Sequence, residues 1–103
     1  MAQYILSILS SQKMIIWSWG FRNPIALQNG LRFSVNGFIH KGVVEILYDE
    51  GKDLFEIHLL KGGRIIKAMT DVYVEDLVEV VDVNIEKVSN YDQRIKDEYS
   101  LSE

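Results

Sequence analysis

Two histidines, His40 and His58, are the only imidazoles in a chain of 103 residues that contains no cysteine. Any imidazole chemistry must use one of them. Without cysteine, a thiolate zinc site, a cysteine nucleophile and a disulfide scaffold are excluded, and a reducing compartment fits. The hairpin register derived below places the two histidines on opposite faces of a sheet, His40 with Phe33 and Val44, His58 beside Val43 and Lys67. Groups on opposite faces cannot hold one metal. We therefore expect His40 to be a partly buried histidine bonded to one backbone group or water, and His58 to be a surface residue.

Three other constellations have the residue types for chemistry. Asp49, Glu50 and Asp53 cluster around Gly51 like oxygen ligands for a hard cation, but their spacing fits no EF-hand loop, and acidic residues beside a turn glycine are ordinary turn chemistry. Gly62-Gly63 between Lys61 and Arg64 has the small residues of a phosphate cradle, yet neither GxxxxGK[ST] nor GxGxxG surrounds it and no helix begins there. None of the serines lies in a GxSxG elbow. No catalytic constellation emerges, so we expect a non-enzyme that uses no cofactor.

A further arrangement points to anions. If Asn36-Gly37 is a two-residue turn, Arg32 and Lys41 lie opposite each other, a like-charge pair that an anion or a nearby carboxylate must relieve. Trp17 and Trp19, with Arg22 close by, would add a stacking platform, the combination used by binders of single-stranded nucleic acid. The competing expectation makes both tryptophans walls of a small core.

The elements that would position these groups follow from periodicity and turn residues. Residues 2–11 carry apolar side chains at helical spacing, with Ile5, Ile8 and Leu9 on one side. Residues 14–19 are β-branched and aromatic, and they alternate so that Ile15, Trp17 and Trp19 share a side, which predicts a strand ended by Gly20. Pro24 makes a turn of residues 21–24 and drives Asn23 out of the α region, leaving Ile25-Ala26-Leu27 as a short edge segment. Asn36-Gly37 predicts a type I′ hairpin pairing Val35 with Phe38 and Phe33 with His40. The turn at residues 49–52 has two or four loop residues, with one parity either way. Gly62-Gly63 closes a third hairpin that pairs Leu59 with Ile66 and Ile57 with Ala68. All three turns agree on a core face of Leu31, Phe33, Val35, Phe38, Val44, Ile46, Tyr48, Phe55, Ile57, Leu59, Ile66 and Ala68. Beyond Asp71 the period changes, and Val74, Leu77, Val78, Val81, Ile85 and Val88 predict an amphipathic helix over 74–88 with Glu75 and Asp76 in its first turn.

The same register leaves Ile39, Val43, Leu47, Leu54, Leu60, Ile65 and Met69 on the sheet's second face, among Arg32, Ser34, Lys41, Glu45, Glu56, His58 and Lys67. A one-sided sheet should be more polar there. Either a helix covers that face or it is an association surface, with Leu47, Leu54, Leu60, Ile65 and Met69 as the contact residues.

Apolar residues make up 48% of the chain and charged residues 25%, enough for one globular domain of residues 1–88. Residues 89–103 form an acidic polar tail. Residues 1–70 carry 8 Lys/Arg against 5 Asp/Glu, and residues 71–103 carry 3 against 10, an acidic rear that ordinary solubility explains. No apolar run reaches the roughly 18 residues of a membrane span, and the start lacks the basic flank of a signal peptide, so we expect no membrane partner and a cytoplasmic protein.

Through Trp17-Ser18-Trp19-Gly20, Leu31-Arg32-Phe33-Ser34-Val35-Asn36-Gly37, Val43-Val44-Glu45-Ile46-Leu47-Tyr48 and residues 72–82, the chain resembles a family of short uncharacterised proteins from gut bacteria, often carried on mobile elements. The likeness spans about residues 5–88 and rests on packing and turn residues. It implies a bacterial cytoplasmic protein and carries over no functional residue. The expectation is thus an α+β domain, with a helix, a four- or five-stranded antiparallel meander and an amphipathic C-terminal helix. It would act as a non-enzymatic association module, a homo-oligomer or the partner of another protein, with single-stranded nucleic-acid binding as the alternative.

Overall fold

Alternating strands with one apolar face and tight turns between them can close only as a meander, and the computed structural model has that form. It describes residues 1–85. Helices α1 (Ala2–Ser10) and α2 (Lys13–Ser18) precede strands β1 (Arg22–Leu27), β2 (Gly30–Asn36), β3 (Lys41–Asp49), β4 (Leu54–Lys61) and β5 (Arg64–Val72). A 3₁₀ turn, Val74–Asp76, then leads into α3 (Leu77–Ile85). The strands form one antiparallel sheet in sequence order, and all three helices contribute to the single core on one of its faces. The predicted continuation of the last helix to residue 88, with Val88, and the acidic tail 89–103 lie outside the described residues.

The core is built from the inward positions that parity selects. Leu31, Phe33, Val35, Val44, Ile46, Phe55, Ile57 and Leu59 are buried from the sheet, and Ile5, Leu9, Trp19, Leu77, Val81 and Ile85 close over them from the helical side. Each fully buried side chain of this size contributes roughly 1.5 to 3 kcal/mol.

Residues 13–18 are helical, which corrects the predicted strand. Ile15, Ile16 and Trp19 face the core at helical spacing, whereas Trp17 is 80% exposed, so Ile15, Trp17 and Trp19 do not share a side. Packing overrides the weak helix propensity of Ile and Trp, because only a helix ending at Trp19 lays its indole over Phe33, ring centroids 6.3 Å apart and nearly parallel. Gly20, at φ 68°, supplies the left-handed residue that turns the chain out of the helix. The turn expected at residues 21–24 is instead part of the edge strand β1, which starts at Arg22 and takes up Pro24 through an irregular register between Arg22 and Ile25, with Asn23 at φ 55°.

The β2–β3 connection also differs from the expected two-residue turn. Asn36 pairs with Lys41 and Phe33 with Val44, so residues 37–40 form a four-residue loop. Gly37 does not have positive φ. Its lack of a side chain serves another purpose, since a Cβ there would lie 2.5 Å from the carbonyl oxygen of Ile85. The loop presses against α3, and the amides of Ile39 and His40 both donate to that carbonyl, at 2.7 and 3.1 Å. Phe38, expected in the core, is 63% exposed in this loop. Because the slip is an even number of residues, parity survives and the rest of the core face is unchanged.

The β3–β4 turn has the four-residue form, with Asp49 opposite Leu54 and Ile46 opposite Ile57. Gly62 and Gly63, at φ 60° and 79°, make the two-residue turn expected of them. Beyond it the pairing shifts by one residue, so that Leu59 faces Lys67, His58 faces Ala68 and Ile57 faces Met69. A one-residue shift moves every following side chain to the other face. Ile66 and Ala68, expected inside, are exposed, and Met69, assigned to the second face, packs on the core. Lys67 likewise changes sides, and its ammonium donates to Asn84 Oδ1 of α3 at 2.6 Å. A second shift brings Val72, rather than Asp71, opposite Phe55, leaving Asp71 outside and 3.3 Å from Lys52 Nζ.

Substituting Gly37 by valine should lower stability by at least about 1 kcal/mol, because the new Cβ meets backbone that cannot move aside cheaply. Gly51→Ala, where a Cβ would meet only Asp49 Oδ1 at 3.4 Å, should be close to neutral. Equal denaturation midpoints for the two variants would show that loop 37–40 does not pack on α3.

Candidate functional site

The candidate stacking residues part company in the fold. Trp19 is fully buried, and its indole N–H donates to Asp82 Oδ1 of α3 at 2.8 Å. It offers no face to a base. Trp17 projects from α2 beside an open groove of about 300 Å³ lined by Leu6, Leu9, Lys13, Ile16 and Phe21. Arg22 and Lys41 are exposed on strands that are not neighbours.

The expected like-charge pair does not form. Arg32 stands opposite Glu45, not Lys41, and its Nε donates to Glu45 Oε2 at 2.8 Å, with Nη2 bonding the same oxygen. The carboxylate that relieves Arg32 is thus built into the next strand, and the anion clue disappears with the two-residue turn that produced it.

The histidines lie apart as expected, but His40 is not opposite Phe33 in a strand, and His58 is not a surface residue, its side chain being 14% exposed. His40 is 4% exposed, in the loop rather than in a strand, with Nε2 3.2 Å from the carbonyl of Val43. His58 lies on the opposite face with Nε2 against Glu56 Oε2 and Nδ1 3.8 Å from Glu45 Oε1. Among the described residues no three His, Asp or Glu side chains come together as metal ligands would.

The acidic turn is occupied by its own backbone. Asp49 Oδ1 accepts the amides of Gly51 and Lys52 at 3.0 and 3.3 Å, an Asx turn. Asp53 accepts the Tyr48 hydroxyl, and that hydrogen bond, followed by burial and the nearby charges, raises the Tyr48 phenol above its ordinary value. Leu47, Tyr48, Glu50 and Glu56 line an open cleft of about 690 Å³ at this end of the sheet.

What remains is the sheet face turned away from the helices. No side chain on it is fully buried. Its middle row runs Ile25, Arg32, Glu45, His58 and Ala68 across the five strands. Val43, Leu60 and Ile65 form the row on one side, and Leu47 and Leu54 lie on the other. Leu47, Leu54 and Leu60 are half-buried and Ile65 is 56% exposed, so four of the five expected association residues share this face while Met69 does not. Sequence reasoning missed the cross-strand charge row, although Arg32, Glu45 and His58 all have the same parity and only the lengths of the two intervening loops were needed to align them.

No family model, no curated protein and no solved structure matches the chain. No helix among the described residues is long and apolar enough to cross a membrane.

The two tryptophans give a direct check on this arrangement. In Trp17→Phe the remaining indole should emit at short wavelength and resist iodide quenching. In Trp19→Phe the remaining one should be readily quenched, and stability should drop by about 1 to 3 kcal/mol through loss of packing and of the bond to Asp82. Equal quenching in both variants would contradict the helix at residues 13–18.

Proposed function

We propose that the protein is a non-enzymatic association module that self-associates through the open face of its sheet. The observation that carries this reading is the one-sided distribution of the helices. All three described helices serve one core, and the other face keeps Val43, Leu47, Leu54, Leu60 and Ile65 in contact with solvent. Two apolar strips of this kind, flanking a row of bonded charges, are stabilised by a partner.

A second copy fits this face better than its edges. Edge strands pair readily only when they are long and regular. Here β1 carries Pro24 and a register break, and β5 is shifted twice against β4. Association through the face avoids both. In its middle Arg32 is paired with Glu45 and His58 is hydrogen-bonded to Glu56 along the sheet, so these groups oppose a covering partner less than unbonded polar side chains would. The contact should be modest in affinity, with a polar component. A bacterial, cytoplasmic setting, as the family resemblance implies, belongs to the same reading.

The nucleic-acid alternative keeps Trp17, Arg22 and Lys41 as exposed groups but has neither Trp19 nor an unpaired Arg32 to work with. A salt-titrated oligonucleotide assay tests it, because phosphate neutralisation makes affinity fall steeply with salt.

Sedimentation equilibrium should show a dimer of the unaltered protein at high micromolar concentration. Leu54→Glu should give a folded monomer, since a carboxylate introduced into the contact must be desolvated. A monomeric unaltered protein at that concentration would end the proposal.

A further inference from the structure

Four ionisable side chains occupy the centre of the open face, and they are not equally matched. From β2, Arg32 bonds Glu45 of β3 through both Nε and Nη2. From β4, His58 places Nε2 against Glu56 and Nδ1 3.8 Å from the second oxygen of Glu45. On the β5 side His58 meets Ala68, and no helix among the described residues packs against it. Among the described residues, the charged groups facing His58 are therefore Glu45 and Glu56, with Arg32 behind Glu45.

Glu45 has the full charge of Arg32 beside it at any pH near neutrality. Glu56 has a full opposite charge beside it only when His58 is protonated. While water reaches the face this difference costs little, because Glu56 is 37% exposed and well solvated. Once the face is covered, a carboxylate without a counter-charge becomes expensive. Histidine is the side chain whose ordinary titration falls between pH 5 and 8, so it can supply that charge.

Resting on the reading of this face as the contact between two copies, we infer that self-association takes up protons at His58. Each copy binds one proton as the face is covered, completing the row Arg32, Glu45, His58, Glu56 with two positive and two negative charges. The associated state holds this proton more tightly than the free protein, so association strengthens as pH falls through the histidine range and weakens as pH rises.

The test is the dissociation constant from sedimentation equilibrium near pH 6 and near pH 8 at fixed ionic strength, with circular dichroism confirming the fold at both. Two coupled protons should tighten the dimer by about tenfold or more at the lower pH. His58→Gln, which keeps a hydrogen-bonding side chain but cannot titrate, should give one weak constant at both values. Glu56→Gln removes the carboxylate that needs the proton and should bind with much less pH dependence. Equal constants for the unaltered protein at the two values would overturn the inference and leave the association reading standing. A pH dependence that survives in His58→Gln would overturn it too, by placing the titration elsewhere, as at the buried His40. A monomer at both values would remove the association reading itself.

Discussion

Trp19 is the residue on which the two ends of the chain agree. Its indole is the largest fully buried side chain, and a buried N–H without an acceptor would cost about 1 to 3 kcal/mol. Asp82, 63 positions further along, provides the acceptor. The Trp19 carbonyl meanwhile accepts the amide of Asn36 at 2.7 Å, tying the end of α2 to the end of β2. These two bonds bring α2, the sheet and α3 together on one side. The carbonyl of Ile85 adds a third tie by taking two amides from loop 37–40. The described helices held together in this way lie on one face of the sheet, and none of them covers the other.

Parity was legible in the sequence, whereas register was not. The inward positions of β2, β3 and β4 follow from alternation and from the presence of turns, and an even error in loop length leaves them untouched. Asn36-Gly37 has the residues of a type I′ turn, but α3 offers the loop a carbonyl acceptor and a surface to pack on, which local turn preference does not include. At β5 the error was odd, so it changed the face of Ile66, Lys67, Ala68 and Met69. Nothing in those residues announces an extra one. The second shift at Thr70–Asp71 has a readable motive, since it keeps a carboxylate out of the core and puts Val72 in.

Residues 13–18 illustrate a different limit. A segment of Met, Ile, Ile and Trp satisfies both the two-residue and the 3.6-residue period over so short a span, and β propensity then favours the wrong answer. The deciding fact is where Trp19 must sit to stack on Phe33 and reach Asp82, and Asp82 is far away in sequence. The expected register failed at the candidate site for a related reason. Arg32 counted as a cation in search of an anion, because its partner Glu45 becomes visible only once the four-residue loop sets β3 against β2.

The charges of the second face show why counting polar residues misjudges a surface. In the sequence Arg32, Glu45, Glu56 and His58 are separate charged or polar positions on the second face, with no sign that they bond to one another. In the sheet they bond to one another along its plane, and the side chains of Glu45 and His58 retain only 13% and 14% exposure. A surface whose charges bond sideways presents an approaching partner chiefly with the leucines and isoleucine beside them. The electrostatic cost of covering it therefore depends on which member of the row is left without a full counter-charge when water departs. Arg32 and Glu45 satisfy each other, Ala68 brings nothing from β5, and the remaining imbalance falls on Glu56. In the dimer proposed above, the protonation of one imidazole would then be the variable that sets how readily the face is covered, while the apolar rows above and below it would set how much is gained.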